Sequence, residues 1–517
     1  MAVDKELIHF SARDLERSIP NICDGLKESI RKILFGCLKR RLYTDEVKVA
    51  QLSGYISEVS SYHHGEKSLQ DAIVGMAQLY VGANNVNLLE PVGQFGSRIQ
   101  GGHDSASPRY IHTRLSKLAR AIFREEDTPV LKFLDDDGQT IEPEWYISVL
   151  PHILCNGALG IGSGYSTNIP NYNPEDIAGY CERVVRSLDG LAEPPEDDLA
   201  AAYEAILATA LPDVNPWFLG FTGKVVRTAM KGTSPIYVTT GTYAWLDDAT
   251  VEITELPVGV WTEDYTQFLN ETIAAGSNVL RDYASHCTAM NVRFTLKLFP
   301  GVRPLVEGKF AEMFKLISPK TITTSNMHLH AAEGQIRRYE TIQDIAKEWA
   351  CVRLSKYAER KQRQLDNMEQ EHKVLAAKCA FIKEVVAGTI KIMNTKEAQV
   401  HDQLREKKYP TFKAGTTAAV TAAAQNPEDA GYGYLTRLPI HQLTLERKQA
   451  MERESEKLAA AIAALRAKPI HHIWREELAH FVEIWSSHRA TVEADYAADR
   501  AGVAAATPTK RRAAAKK

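Results

Sequence analysis

The residue types that could do chemistry are concentrated in Gln94-Phe95-Gly96-Ser97-Arg98-Ile99-Gln100-Gly101-Gly102-His103-Asp104-Ser105-Ala106-Ser107-Pro108-Arg109-Tyr110. Glycine and other small residues let backbone approach a ligand closely, so a loop is expected here. Pro108 fixes the main chain just ahead of Arg109 and Tyr110. A tyrosine hydroxyl titrates at about 10, so it needs help to act as a nucleophile. An attack on phosphorus builds charge on the non-bridging oxygens, and a neighbouring guanidinium can neutralise it. Taken alone the Arg-Tyr pair is weak evidence, because the chain has 20 tyrosines.

Other signals carry less. Gly65-Glu66-Lys67-Ser68 looks like the end of a phosphate-binding loop but lacks the upstream glycine spacing. His63-His64 and His471-His472 are adjacent pairs, and neighbours on a helix point to different faces, which does not suit a shared metal. Asp135-Asp136-Asp137 reads as an acidic turn.

The elements that must position these residues divide into three textures. Asp24 can cap a helix in which Leu26, Ile30, Ile33, Leu34, Cys37 and Leu38 recur at helical spacing, with Lys27, Arg31, Lys32, Lys39, Arg40 and Arg41 on the other face. Further helices are expected over 47–59 and 68–80. Short helices in series with a basic face fit a helix-turn-helix-like DNA-binding unit, and equally a helical core with solvated lysines. From Pro151 to Glu333 helices mix with strand-like runs such as 251–256 and 292–298, and 194–198 reads as a surface loop. After Tyr339 the chain is mostly helical. Leu365, Met368, His372, Leu375, Cys379, Ile382 and Val386 alternate by three and four, as do Met451, Ser455, Leu458, Ile462 and Leu465. An antiparallel pair of helices is the economical solution. The alanine-rich stretch 416–433 between them is expected to be a mobile loop.

Composition narrows the class. A chain of 517 residues suggests about three or four domains. The formal net charge of −3 gives no sign of nucleic acid, so any binding charge must be local. Seven scattered cysteines without a Cys-x-x-Cys pair argue against a disulfide framework or a zinc site and fit a reducing intracellular compartment. No apolar run is long enough for a bilayer, and the N-terminus has no signal-peptide pattern, so no membrane partner is expected. The stretch 501–517 has no acid and carries Lys510, Arg511, Arg512, Lys516 and Lys517. It is expected to be a disordered tail, either simply solvated or used in nuclear import or DNA contact.

Ala106-Ser107-Pro108-Arg109-Tyr110 resembles the active-site motif of eukaryotic-type type II DNA topoisomerases, nuclear or from large DNA viruses. Other stretches resemble the family in the right order: Arg17-Ser18-Ile19-Pro20, Asp24-Gly25-Leu26-Lys27, Arg31-Lys32-Ile33-Leu34-Phe35, Lys48-Val49-Ala50-Gln51-Leu52, Tyr62-His63-His64-Gly65-Glu66, Asn156 through Gly164, and Tyr434-Leu435 through Pro439 with Leu443. The resemblance covers nearly the whole chain and weakens in 187–215, the alanine-rich stretch and the tail.

It implies a multidomain α+β fold: a winged-helix cleavage domain over 1–140, an α/β tower over 141–335, antiparallel coiled-coil arms with a helical exit gate over 336–490, and a basic tail over 491–517. It implies Tyr110 as the nucleophile that forms a transient 5′-phosphotyrosyl bond, with Arg109, His64 and Arg31 completing the catalytic site. Lys27, Lys32, His63, Gln94 and Arg98 would contact DNA, and Ile161 would wedge between base steps and bend the duplex. The implied partners are double-stranded DNA, a second copy of the chain, and ATPase and metal-binding TOPRIM regions that hold the ATP and Mg2+ ligands outside this chain. The implied compartment is the nucleus, or a viral replication compartment. A departure stands at His103, where the family usually has lysine. A cleavage-silent DNA-binding or scaffold protein is the alternative. A tyrosine recombinase or nicking enzyme is opposed by the flanking motifs.

Overall fold

The computed structural model describes residues 2–191, 199–232, 234–392, 395–412, 431–439 and 445–506. They form a mixed α/β architecture with a helical C-terminal region. They fall into two compact units. One holds residues up to Ser355 together with those from Trp474 onward, and the other is built on Lys356–Ile473.

The first unit opens on helix α1 (Ala2–Ser18), then α2 (Glu28–Lys39), strand β1 (Val47–Lys48), α3 (Val49–Val59) and α4 (Glu66–Ala77). Strands β2 (Leu89–Val92) and β3 (His112–Leu115) complete a three-stranded antiparallel sheet in the order β1-β3-β2. The early helices therefore lie close to where their apolar spacing puts them. The start of α2 differs. Its N-cap is Lys27, without a side-chain cap, and Asp24 is buried elsewhere. The Asp24 carboxylate accepts from Leu26 N at 2.9 Å, Arg31 Nε at 2.7 Å and Tyr146 N at 3.0 Å. Burial of a carboxylate is tolerable when a guanidinium and N–H donors satisfy it, and a longer-range set of partners here outcompetes local capping. Packing between α2 and α3 is close: a Cβ on Gly36 would come within 2.7 Å of Ile56 Cγ1.

Two hairpins follow. Between β4 (Phe133–Asp136) and β5 (Gln139–Pro143) the turn is Asp137 and Gly138, so of the acidic run expected to form a turn Asp135 and Asp136 end the strand instead, with Asp135 Oδ1 accepting from Gly138 N at 2.9 Å. The second hairpin pairs β6 (Ala158–Gly162) with β7 (Tyr165–Ile169). Further along, β8 (Lys224–Lys231) pairs with β9 (Ser234–Thr240). The strands β10 (Thr242–Asp247), β11 (Thr250–Glu255), β12 (Leu280–Ser285) and β13 (Phe294–Leu298) make a four-stranded antiparallel sheet ordered β10-β11-β13-β12. Alternate residues Val251 and Ile253 of β11 and Phe294, Leu296 and Leu298 of β13 turn inward onto Tyr265, Leu269, Phe310 and Phe314, so the β-rich runs at 251–256 and 292–298 are strands because one face of each is buried.

The helix Ile470–Ala506 corrects the expected tail boundary at 491. Trp474 Nε1 donates to Val149 O at 2.9 Å, and Asp499 Oδ2 accepts from Thr288 Oγ1 and Asn291 Nδ2, each at 2.5 Å. These contacts hold residues 491–506 as helix; residues 507–517 lie outside the described residues.

In the second unit, the helices Ile342–Val386 and Leu445–Ala467 run antiparallel: Lys361 Nζ donates to Arg466 O at 3.1 Å, while Glu452 and Glu454 act on Cys379. Met451 and Ile462 are buried, as their spacing requires. The stripe expected on the first helix holds at Leu365 and Ile382 but fails at Val386, which is exposed. There the buried stripe is Val374, Ala377 and Phe381, because Ile390, Val400, Leu404 and Tyr409 pack against that neighbouring face. The loop expected over 416–433 lies outside the described residues except for Gly431–Gly433, and so does the surface loop at 194–198.

His152 beneath Asp24 gives a pH test. Its Nδ1 meets the Asp24 carbonyl at 3.1 Å, and burial lowers its pKa to about 4. The unfolded imidazole protonates first as pH falls below about 6.5, so this group costs stability progressively down to the folded value and no further. The expected loss is about 3 kcal/mol between neutral pH and pH 4. Urea unfolding across that range should be less acid-sensitive in His152→Gln than in the parent chain; equal slopes would show that His152 is not the group responsible.

Candidate active site

Helix α3 starts without a side-chain cap, and the loop that ends in Tyr110 satisfies its first turn instead. Val49 N donates to Ile111 O at 3.0 Å and Ala50 N to Pro108 O at 3.1 Å. Helix N-termini leave such N–H groups without intrahelical partners, so their satisfaction fixes the loop on the helix. Tyr110 N closes the turn on Ser107 O at 2.9 Å, and Ala106 N donates to Gln94 O at 2.9 Å. Asp104 braces the middle, accepting from Ser97 N at 2.8 Å and Ser97 Oγ at 2.5 Å. Gly101 has φ +61°, and a Cβ there would lie 2.2 Å from the Trp261 ring, so only glycine fits.

This rigid mount carries an exposed phenol. Tyr110 is 70% exposed, and Arg109 Cζ lies 5.8 Å from its ring centroid. The ring of Tyr110 is thus open to solvent on a braced turn.

Arg31, His63 and His64 line a cleft of about 1130 Å³ together with Arg13, Arg17 and Lys132; Tyr110 does not line it. His63 and His64 sit in the connection between α3 and α4, not on a helix, and the His64 ring stands edge-on to buried Tyr62 at 5.3 Å. Burial first, then the charge of Arg17, lowers the His64 pKa and favours the neutral imidazole. Arg31 is bound to Asp24 and also donates to Leu26 O at 3.0 Å, so it reaches the cleft as a fixed cation. Arg17 is not singled out by spacing. Its signal is its place in Arg17-Ser18-Ile19-Pro20, and the last turn of α1 delivers it to the cleft wall.

Two residues expected to contact DNA are buried and paired with carboxylates. Lys32 is buried, with Nζ 2.7 Å from Glu142 Oε1 and donating to Ser60 O at 2.7 Å. Arg98 is buried, 2.5 Å from Glu255 and donating to Leu256 O at 2.9 Å. Both cations hold other segments of the chain; Lys32 also lines the cleft beside Arg31, and each of the two is bound there to a buried carboxylate, whereas Arg98 is not among the cleft residues. Of the other expected contacts, Gln94 is exposed, and exposed His63 lies 3.5 Å from Asp136. Lys27 Nζ donates to Leu159 O at 2.7 Å, beside the exposed Ile161 of the β6–β7 hairpin.

The carboxylates of the cleft do not suit a magnesium ion, which wants oxygen ligands converging in octahedral geometry. Glu142 is committed to Lys32, Glu144 to Lys132 at 2.6 Å, and Asp136 to His63. Among the described residues, no group of three acidic or histidine side chains within ligand reach lies in the cleft.

Comparison with known proteins places this geometry in context. Residues 17–479 match the family model for the A subunit of DNA gyrase/topoisomerase IV. DNA topoisomerase 2 of Arabidopsis thaliana is 40% identical over 92% of this chain and 32% of its own length. The mimivirus DNA topoisomerase 2 is 34% identical over 93% of this chain and 40% of its own. The chain thus spans about a third of the length of such relatives. The crystal structure of the Plasmodium falciparum topoisomerase II DNA-binding, cleavage and re-ligation domain superposes with a TM-score of 0.81 at 37% identity, covering 95% of this chain and 65% of that one.

The anchoring role of Arg98 can be measured. Arg98→Ala leaves Glu255 buried without its cation and should cost about 3–5 kcal/mol in urea unfolding. Replacing both partners with apolar residues should recover much of that loss. A single substitution within experimental error of the parent would show that the pair does not hold the loop.

Proposed function

Because the chain belongs to the DNA gyrase/topoisomerase IV A-subunit family, we propose that it is the DNA breakage and rejoining part of a type II DNA topoisomerase. The observation that carries this reading is the exposed Tyr110 hydroxyl on a turn fixed to α3, with Arg109 beside it.

The proposed chemistry is a reversible transesterification. Tyr110 Oη attacks a backbone phosphorus, a phosphotyrosyl bond forms at the 5′ side, and the P–O3′ bond breaks. The phenolic proton is lost and the 3′ oxygen leaves as a hydroxyl. Rejoining is the same path reversed: the 3′ hydroxyl attacks and the phosphotyrosyl bond breaks. The diester energy is kept in the protein–DNA bond, so resealing needs no nucleotide. Arg109 neutralises charge on the non-bridging oxygens. Arg31 and Arg17 supply fixed positive charge, and neutral His64 offers a hydrogen bond to a phosphate in the same cleft. Two copies of the chain related by a two-fold axis would make a staggered double-strand break, and a second duplex would pass through it.

The architecture supports matching functional regions. Helices α2 to α4 with the β1-β3-β2 sheet fit a winged-helix domain, the β-rich middle fits a tower, and the antiparallel helices fit arms leading to an exit gate. Magnesium and ATP are requirements of the family, and in this reading their ligands belong to TOPRIM and ATPase regions outside this chain. By itself the chain is therefore expected to bind DNA without cleaving it. A nuclear or viral DNA compartment follows from the same reading.

Trapping of labelled DNA under denaturing conditions tests the site, with the chain combined with ATPase and TOPRIM regions. Tyr110→Phe should abolish covalent attachment and leave DNA binding nearly unchanged. Arg109→Ala should reduce cleavage about 10²–10³-fold, as loss of one charge-stabilising donor does. Label on another tyrosine, or label that persists in Tyr110→Phe, would refute the assignment.

A further inference from the structure

The β6–β7 hairpin presents more apolar surface than a single wedge would need. Ile161 is 77% exposed and Leu159 is 66% exposed, while Gly160 between them is buried. Side chains two residues apart on a strand share a face. Leu159 and Ile161 therefore stand side by side on the outward face, with Asn168 paired directly opposite Leu159 and Ser166 opposite Ile161. The exposed Asn168 adds an amide to that face.

This exposure is built in by several anchors. Gly160 lies so close to α1 that a Cβ would meet Ser18 O at 2.1 Å. Ser163 donates to Asp14 Oδ2 through N at 2.7 Å and Oγ at 2.9 Å. Lys27 Nζ holds the Leu159 carbonyl at 2.7 Å. Asn168 N donates to Asn326 O at 2.7 Å. With its backbone held from both sides, the hairpin cannot fold its apolar face inward. Isolated exposed leucines are ordinary on protein surfaces. A rigidly held pair, flanked by an amide and adjoining Lys27, is a surface shaped for a partner.

We propose that Leu159 is a second apolar contact to the minor groove, seated about two base steps from the step entered by Ile161. The proposal rests on the DNA-binding reading above and on the wedge role that the family resemblance implies for Ile161. Its chemistry is that of proteins that kink duplexes from the minor groove, which combine apolar wedges with asparagine or basic side chains. The spacing matches: two residues of strand rise about 6.6–6.8 Å, and two base steps along one DNA strand rise about 6.8 Å. Ile161 opens one step, and Leu159 packs along the groove floor where the duplex has been widened. The contact spreads the bend over a short segment and adds affinity for it.

The test uses the 517-residue chain with a short duplex carrying a fluorophore pair at its ends, read by titration and by energy transfer. The variants are Leu159→Ser, Leu159→Met, Ile161→Ser and the double serine variant. All lie at exposed positions, and circular dichroism checks that each is folded. Leu159→Ser should weaken binding about tenfold, equivalent to roughly 1.4 kcal/mol, and reduce energy transfer at saturation. Leu159→Met should retain both, and the double variant should fall below Ile161→Ser alone. If Leu159→Ser matches the parent in affinity and bend while Ile161→Ser loses both, the second contact is wrong and the function stands. If the parent chain neither binds nor bends any duplex, the function fails and this inference with it.

Discussion

The buried Asp24 carboxylate is the interaction on which the arrangement of the first unit depends. It takes donors from Leu26, Arg31 and Tyr146, while its carbonyl meets His152. A single ionised group thereby joins the start of α2 to segments more than a hundred residues later. Removing any one partner would leave the others with unmet polar groups in a low dielectric, where such losses are expensive. The same cation that stabilises Asp24, Arg31, stands at the cleft wall. Its geometry is therefore set by the core, and no bound ligand has to organise it.

Around that frame the chain separates buried, paired cations from exposed side chains. Lys32 and Arg98 are cations spent on Glu142 and Glu255. Arg109, Tyr110 and Ile161 remain at the surface on short, braced segments. A side chain that is both accessible and fixed loses little freedom on meeting a partner, which is the positioning that the proposed role of Tyr110 calls for. The glycines serve this separation at particular points, Gly101 by admitting Trp261 and Gly160 by admitting the Ser18 carbonyl.

Local pattern made the early helices, the 251–256 and 292–298 strands and the presence of a loop before Tyr110 legible in the sequence, because helical spacing, alternation and glycine content are properties of neighbouring residues. Motif resemblance supplied the family. Long-range pairing was not legible. Asp24 has the residue type and position of a cap, and only the folded chain shows that Arg31 and Tyr146 N claim it. Lys32 and Arg98 have the charge of phosphate contacts, but their carboxylate partners lie far along the chain. The stripe at Val374, Ala377 and Phe381 depends on Ile390 to Tyr409 packing back against it, which heptad spacing within one helix does not encode. Helix beyond residue 491 depends on Asp499 meeting Thr288 and Asn291, and alanine-rich composition gave no sign of that docking.

Main-chain carbonyls of Pro108 and Ile111, in place of a serine or aspartate side chain, complete the first turn of α3. Every residue type carries a carbonyl, so substitutions at exposed positions of the loop such as Gln94, His103 and Ser107 can alter charge or shape without moving Tyr110, provided the glycine dihedrals and the Ser97–Asp104 and Arg98–Glu255 contacts are kept. An insertion or deletion is different in kind, since it slips the carbonyls out of step with the amides. The loop is consequently tolerant of changes in spelling at its exposed positions and intolerant of changes in length, which leaves part of its surface free to diversify while the Tyr110 ring keeps its place.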